Sequence, residues 1–147
     1  MKRQAYIIVM LIMLTTVAGL STAKAQTNST ELRTNIPFEF SVGNKTMPAG
    51  EYTFRCTNPN SDLKVMQLFS SHGNASVLLM TSNITRKAPG DAKLIFNRYG
   101  EQYFLAQAWF QADTTGLQTS KSRNEKRIER ELAANRVSKE VVAVTAR

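Results

Sequence analysis

The stretch Phe40–Phe54, FSVGNKTMPAGEYTF, sets two glycines, a proline, an asparagine and a lysine between two alternating apolar runs. Glycines beside a lysine and a threonine are the parts of a phosphate-cradling loop, in which backbone N–H groups and the lysine hold anionic oxygens. That chemistry needs four residues between a first glycine and a contiguous Gly-Lys pair, then Ser or Thr, then a helix. Here Asn44 separates Gly43 from Lys45, no glycine lies at the required distance upstream, and the following residues alternate as a strand. Gly43-Asn44 tolerates positive φ, and Met47-Pro48-Ala49-Gly50 suits a type I turn with Pro at its second position. The segment reads as a connection between strands.

Nucleophilic and metal chemistry find few candidates. The single histidine, His72, lies in a Ser/Gly/Asn turn, and the single cysteine, Cys56, alternates with Tyr52 and Phe54 as a small buried apolar residue does. A Cys–His pair would need the two side by side, and zinc would need three or four ligands, several of them His or Cys. The acids of residues 26–117 form no D-x-D or E-x-x-H grouping, so a hydrolase built from two carboxylates rests on the fold bringing them together. The expectation is no enzyme, no cofactor and no metal.

Charge is placed unevenly. The chain carries a formal net charge of +8. Residues 26–117 hold eight Lys/Arg against seven Asp/Glu, whereas residues 118–147 hold eight against four. Nucleic-acid binders interleave Lys/Arg with aromatics on one surface. In this chain the aromatics sit in apolar runs and the positive charge sits in the tail. Lys121, Arg123, Lys126, Arg127 and Arg130 are therefore candidate contacts to an anionic partner, an anionic envelope component or another envelope protein, with nucleic acid the least fitting one. Tyr99, Tyr103, Trp109 and Phe110 are either core or, in a closed barrel, the lining of a ligand cavity.

These groups must be carried by recognisable elements. Lys2 and Arg3 precede an apolar stretch from Tyr6 to Leu20, followed by Ala23-Lys24-Ala25, the pattern of a signal peptide cleaved before Gln26. The stretch is shorter than the roughly 20 residues a spanning helix needs. Cleavage leaves 122 residues with net charge +5. One cysteine closes no internal bridge, so an exported domain of this length must rely on its core. Asn28, Asn44, Asn74 and Asn83 open N-x-[ST] triplets of the kind polar turns produce by chance.

Residues 26–34 read as a loose polar leader. Six apolar runs then follow: Ile36–Val42, Tyr52–Cys56, Leu63–Phe69, Val77–Met80, Leu94–Phe96 and Tyr103–Phe110. Period-two alternation between turn residues predicts strands. Leu63–Phe69 changes phase, pointing to a bulge or two covered faces. Val77–Met80, apolar on both sides, predicts a doubly covered central strand, and Ser82–Asp91 predicts the longest loop. Gly100 supplies the positive φ of a tight hairpin. With no helix between the runs, residues 35–117 predict an all-β domain, an antiparallel meander forming a sandwich or small barrel.

Residues 118–147 differ, predicting a basic helical segment. Ser122-Arg123-Asn124-Glu125 fits a capping box, and Ile128 and Leu132 form one apolar i, i+4 pair on a helix ending near Asn135. Val141, Val142 and Val144 suggest a final strand.

The run Ile36-Pro37-Phe38-Glu39-Phe40-Ser41-Val42-Gly43, continued by Met47-Pro48-Ala49-Gly50-Glu51-Tyr52, resembles the opening of a family of small exported bacterial proteins abundant in soil acidobacteria. Leu94–Leu105 and Lys121-Ser122-Arg123 resemble it too. The resemblance implies export and a β-rich fold, and carries over no activity. The expected role is thus a non-enzymatic, secreted, periplasmic or extracellular binding or structural protein of the cell envelope. The alternative is a β-barrel carrier of a small hydrophobic ligand.

Overall fold

The structure is a computed structural model that describes residues 31–61, 63–71, 73, 76–134 and 138–147. The expected signal peptide, His72 and the expected helix stop at Asn135 lie outside the described residues.

Alternation writes most of the strands. In β1, Glu31–Ile36, the side chains of Leu32, Thr34 and Ile36 are buried while Arg33 and Asn35 are exposed. Residues 31–34, expected as leader, thus belong to a strand: the charged side chains of Glu31 and Arg33 take outward positions of the pleat, and the inward Thr34 hydroxyl is satisfied by the Thr145 carbonyl. Pro37 then breaks the chain, because it has no N–H to give a ladder. The expected first strand is consequently split into β1 and a short β2, Phe40–Val42.

Gly43, at φ 60°, makes the turn into β3, Lys45–Met47, which pairs back on β2. The opening segment is a hairpin connection. β4 spans Gly50–Cys56, β5 Lys64–Ser70, β6 Ser76–Thr85, β7 Lys93–Tyr99, β8 Gln102–Trp109, β9 Thr115–Thr119 and β10 Glu140–Thr145. Among the described residues one helix, α1, covers Arg123–Ala134.

The predicted all-β class with a C-terminal helix holds, with a more involved connectivity than a meander. Strands run β1-β4-β5-β6-β9-β8-β2-β3, and β7 pairs both β8 and β10. Each pairing is antiparallel except β2 with β8, which meet in parallel at Ser41 and Phe104. β9 was missed because Thr-Gly-Leu-Gln-Thr offers one apolar side chain, and the expected boundary at residue 117 falls inside it. β6 extends to Thr85, since its polar second half pairs with β9. β5 runs in unbroken register on both sides, and the irregularity lies instead at Ile95/Phe96.

The sheet does not close into a barrel. Its two ends touch where Arg33 and Arg147 exchange backbone hydrogen bonds of 2.8 and 2.9 Å, and Thr34 Oγ1 donates to the Thr145 carbonyl at 2.7 Å. The curl of the sheet is filled by side chains. Phe40, Tyr52, Phe54, Phe96, Met66, Leu68 and Leu94 are all fully buried, with Cys56 beside them.

Val77–Met80 is covered on one face only. Leu78 is 64% and Met80 69% exposed, because among the described residues no second layer lies over the outer side of β5 and β6.

Gly116 is where strand and core approach most closely. A Cβ there would sit 2.7 Å from the Trp109 ring and 3.0 Å from the Ala108 carbonyl oxygen. The ring has little room to retreat, with the Arg86 guanidinium 5.0 Å from its centroid. That guanidinium is itself fixed by donating to the carbonyls of Gly90, Asp91, Phe110 and Asp113. Gly116→Ala should therefore destabilise by about 1–3 kcal/mol through overpacking, read as a lower denaturant midpoint at unchanged slope.

Candidate anionic-partner surface on the C-terminal helix

Helix α1 divides the tail's charges by its own geometry. Residues at i, i+3, i+4 and i+7 share one face. Glu125, Ile128, Glu129 and Leu132 have this spacing and form the inner face; Arg123, Lys126, Arg127 and Arg130 have it and form the outer one. Ile128 is buried with Tyr99 and Phe104, and Leu132 packs against the same cluster. All four outer cations are exposed.

The helix starts as the capping box predicts. Ser122 Oγ accepts from the Glu125 N–H at 3.1 Å, and the Ser122 carbonyl accepts from the Lys126 N–H at 3.0 Å. The Glu125 carboxylate, however, turns into the body. It is 3% exposed, and its Oε1 accepts from Asn97 Nδ2 at 2.7 Å.

Tyr99 is 3.4 Å from that same oxygen and 3.3 Å from Glu129 Oε1. The phenol has one proton, so it serves one carboxylate at a time. Lys121 closes the network as an ion pair with Glu129. Hydrogen bonding to Lys121 holds the Glu129 carboxyl below its usual range despite opposing burial. Burial, followed by the negative charges of Glu125 and Glu129, pushes the Tyr99 phenol well above its usual value of 10.0.

A group raised in the folded state contributes stability that is complete below its unfolded pKa and declines as pH rises above it. Tyr99 should therefore weaken the docking of α1 above about pH 10. Urea midpoints at rising pH should show this loss, and Tyr99→Phe should flatten the dependence.

The structure thus separates the candidate residues. Arg123, Lys126, Arg127 and Arg130 come together on one outward stripe, while Lys121 is turned inward to Glu129. Within the stripe, Arg127 donates to Glu131 at 2.8 Å and to Asn124 at 2.9 Å, leaving a clear excess of positive charge. The inward-facing acids are what sequence reading missed. Their signal was present: Glu125 and Glu129 flank Ile128 at three and one residues, on the side that must face the body.

The aromatic candidates go elsewhere. Tyr99 lies under the helix. Tyr103 stacks on Phe38 at 3.9 Å, Trp109 donates to Gln107 at 3.0 Å, and Phe110 is buried. Each is packed against protein, and with the sheet unclosed they line no barrel lumen. A groove of about 890 Å³ lies instead at the seam between β1, β4 and the end of β10, lined by polar residues including Arg33, Asn35, Glu51, Thr53 and Thr145.

Among the described residues, no three His, Cys, Asp or Glu side chains group as metal ligands, and no helix is long and apolar enough to cross a membrane. Compared with family models, curated proteins and solved structures, the chain matches none of them.

Proposed function

We propose that this protein is a non-enzymatic, exported binding protein of the cell envelope that attaches to an anionic component through the outer face of α1. The observation that carries this reading is the stripe Arg123–Lys126–Arg127–Arg130, exposed on a helix whose other face is fixed to the sheet by Ile128, Leu132 and Glu125. Charges on a docked helix have already lost the backbone freedom that a loose basic tail would lose on binding. Export rests on the N-terminal signal-peptide pattern and on the family resemblance.

Attachment of this kind is salt-sensitive, because screening shortens the reach of surface charge to about 10 Å at 0.1 M. The test uses two probes, vesicles carrying phosphatidylglycerol and beads carrying alginate. Replacing Arg123, Lys126, Arg127 and Arg130 together by glutamine should reduce binding to the responding probe by about tenfold or more. Raised salt should release the unaltered protein. Salt-insensitive binding, or full binding by the glutamine variant, refutes the assignment.

A further inference from the structure

The outer face of the sheet carries a group of bare apolar side chains. In β6, Val77 and Leu79 pack on the core, so Leu78 and Met80 point the other way, into solvent. Val65 of β5 faces Met80 and, half-buried, extends the group. Leu63 precedes β5 in the same phase as Val65 and is 63% exposed. Single exposed apolar residues need no explanation, whereas several side by side mark a contact surface.

The rim of this patch is basic. Arg55 faces Gln67, which faces Leu78, so Arg55 is two strand spacings, about 10 Å, from the leucine. It shares the Glu31 carboxylate with Arg33, which leaves that trio one net positive charge. Lys45 is exposed and donates to the Ser76 carbonyl at 3.4 Å, two residues before Leu78. On the far side, Thr81 beside Met80 faces Thr119, the last residue of β9, and α1 begins four residues later at Arg123. Four residues span at most about 14 Å. The helix lies on the same face of the sheet, since it covers Phe104, whose neighbour Leu105 joins the core on the opposite side. The outward residues next to Leu78 and Met80 on β5 and β6 are Val65, Gln67, Ser76 and Ser82, with no acid among them.

We propose that Leu63, Leu78 and Met80 enter the surface of an anionic phospholipid bilayer, with Lys45, Arg55 and Arg123 among its headgroups. The inference rests on the anionic-partner reading of α1 and selects phospholipid over acidic polysaccharide as that partner. A polysaccharide offers charge and hydroxyls, but nothing into which leucine and methionine can move out of water. A bilayer offers both, and interfacial binding grows with buried apolar area and with attraction to anionic headgroups together. The long stems of lysine and arginine let their charges stay at headgroup level while apolar neighbours go deeper. A second copy of this chain is the poorer occupant, because it would set the same cations against one another.

Vesicles of equimolar phosphatidylglycerol and phosphatidylcholine test this on the purified protein, with alginate beads alongside. Leu78→Gln with Met80→Gln should lower vesicle affinity about tenfold and leave circular dichroism unchanged, since both side chains face solvent. A polarity-sensitive fluorophore on Leu78→Cys should shift to the blue on these vesicles; Cys56 is buried, so the label goes to the new thiol. Suppose vesicle binding is lost when the four outer cations of α1 become glutamine. An undiminished affinity in the Leu78/Met80 variant, or a fluorophore that stays in water, then overturns the inference while the reading of α1 stands. Capture by alginate and not by vesicles has the same meaning. Binding to neither probe, or full binding by the four-glutamine variant, overturns the reading of α1 and this inference with it.

Discussion

Replacing Phe96 by alanine should destabilise the protein by about 3–5 kcal/mol, the range for removing a buried aromatic ring. Phe96 has no exposed surface. Its ring meets Phe38 edge-on at 5.3 Å and Phe40 at 5.5 Å, and Phe40 in turn meets Tyr52 at 5.2 Å. It is the contact through which β7 holds the β1–β2 connection inside the curl of the sheet. Single domains of this size typically have only about 5–15 kcal/mol in total, and this one has no disulfide to limit its unfolded state. A denaturation midpoint shifted by a small fraction of that amount would show that the cavity collapses, and that β7 is less central than its ring contacts indicate. Phe96→Leu, which keeps most of the volume, should recover most of the loss.

The second large effect is expected at Glu125. Glu125→Ala strands the Asn97 amide beneath the helix and leaves Tyr99 with Glu129 as its acceptor. Leaving a buried donor unsatisfied costs about 1–3 kcal/mol, and hydrogen bonds to charged groups are at the upper end. Because α1 meets the body chiefly through Ile128, Leu132 and this network, the loss should be local. Amide exchange should quicken across Arg123–Ala134 while β4 and β5 stay protected. Uniform exchange across all strands would mean that the helix and the sheet unfold as one unit. Binding to the anionic probe should persist at reduced affinity in Glu125→Ala, since the four outer cations remain but are no longer pre-oriented.

The two variants bear on different parts of the reading. Phe96 concerns the sheet that carries the surface, and Glu125 concerns the orientation of the surface on that sheet. A protein that retains its fold and its exposed cations in Glu125→Ala, yet binds as well as the unaltered chain, would locate the attachment in charge alone.

How much of this was legible beforehand varies by element. The hairpin at Gly100 was legible because a positive φ of 63° admits few residues besides glycine, flanked by strongly alternating runs. The start of α1 was legible because capping is chemistry between residues three apart. By contrast, β9 has too few apolar side chains to announce itself. It exists because β6 and β8 each leave an edge that it satisfies. β1 was hidden for a related reason: its alternation includes Thr34, a polar residue buried by a hydrogen bond to Thr145, more than a hundred positions away.

Residue order alone therefore determined the β class, the helix, its cap, the hairpin turns and the excess of positive charge in the tail, because each depends on neighbours within a few positions. Tertiary structure decided which cations face outward, that Lys121 pairs with Glu129 while Glu125 is buried under the helix, and that the two ends of the sheet meet at Arg33 and Arg147 without closing a barrel. Those outcomes depend on which distant strands and side chains meet, and the free energy of such meetings is a property of the packed chain rather than of any local pattern.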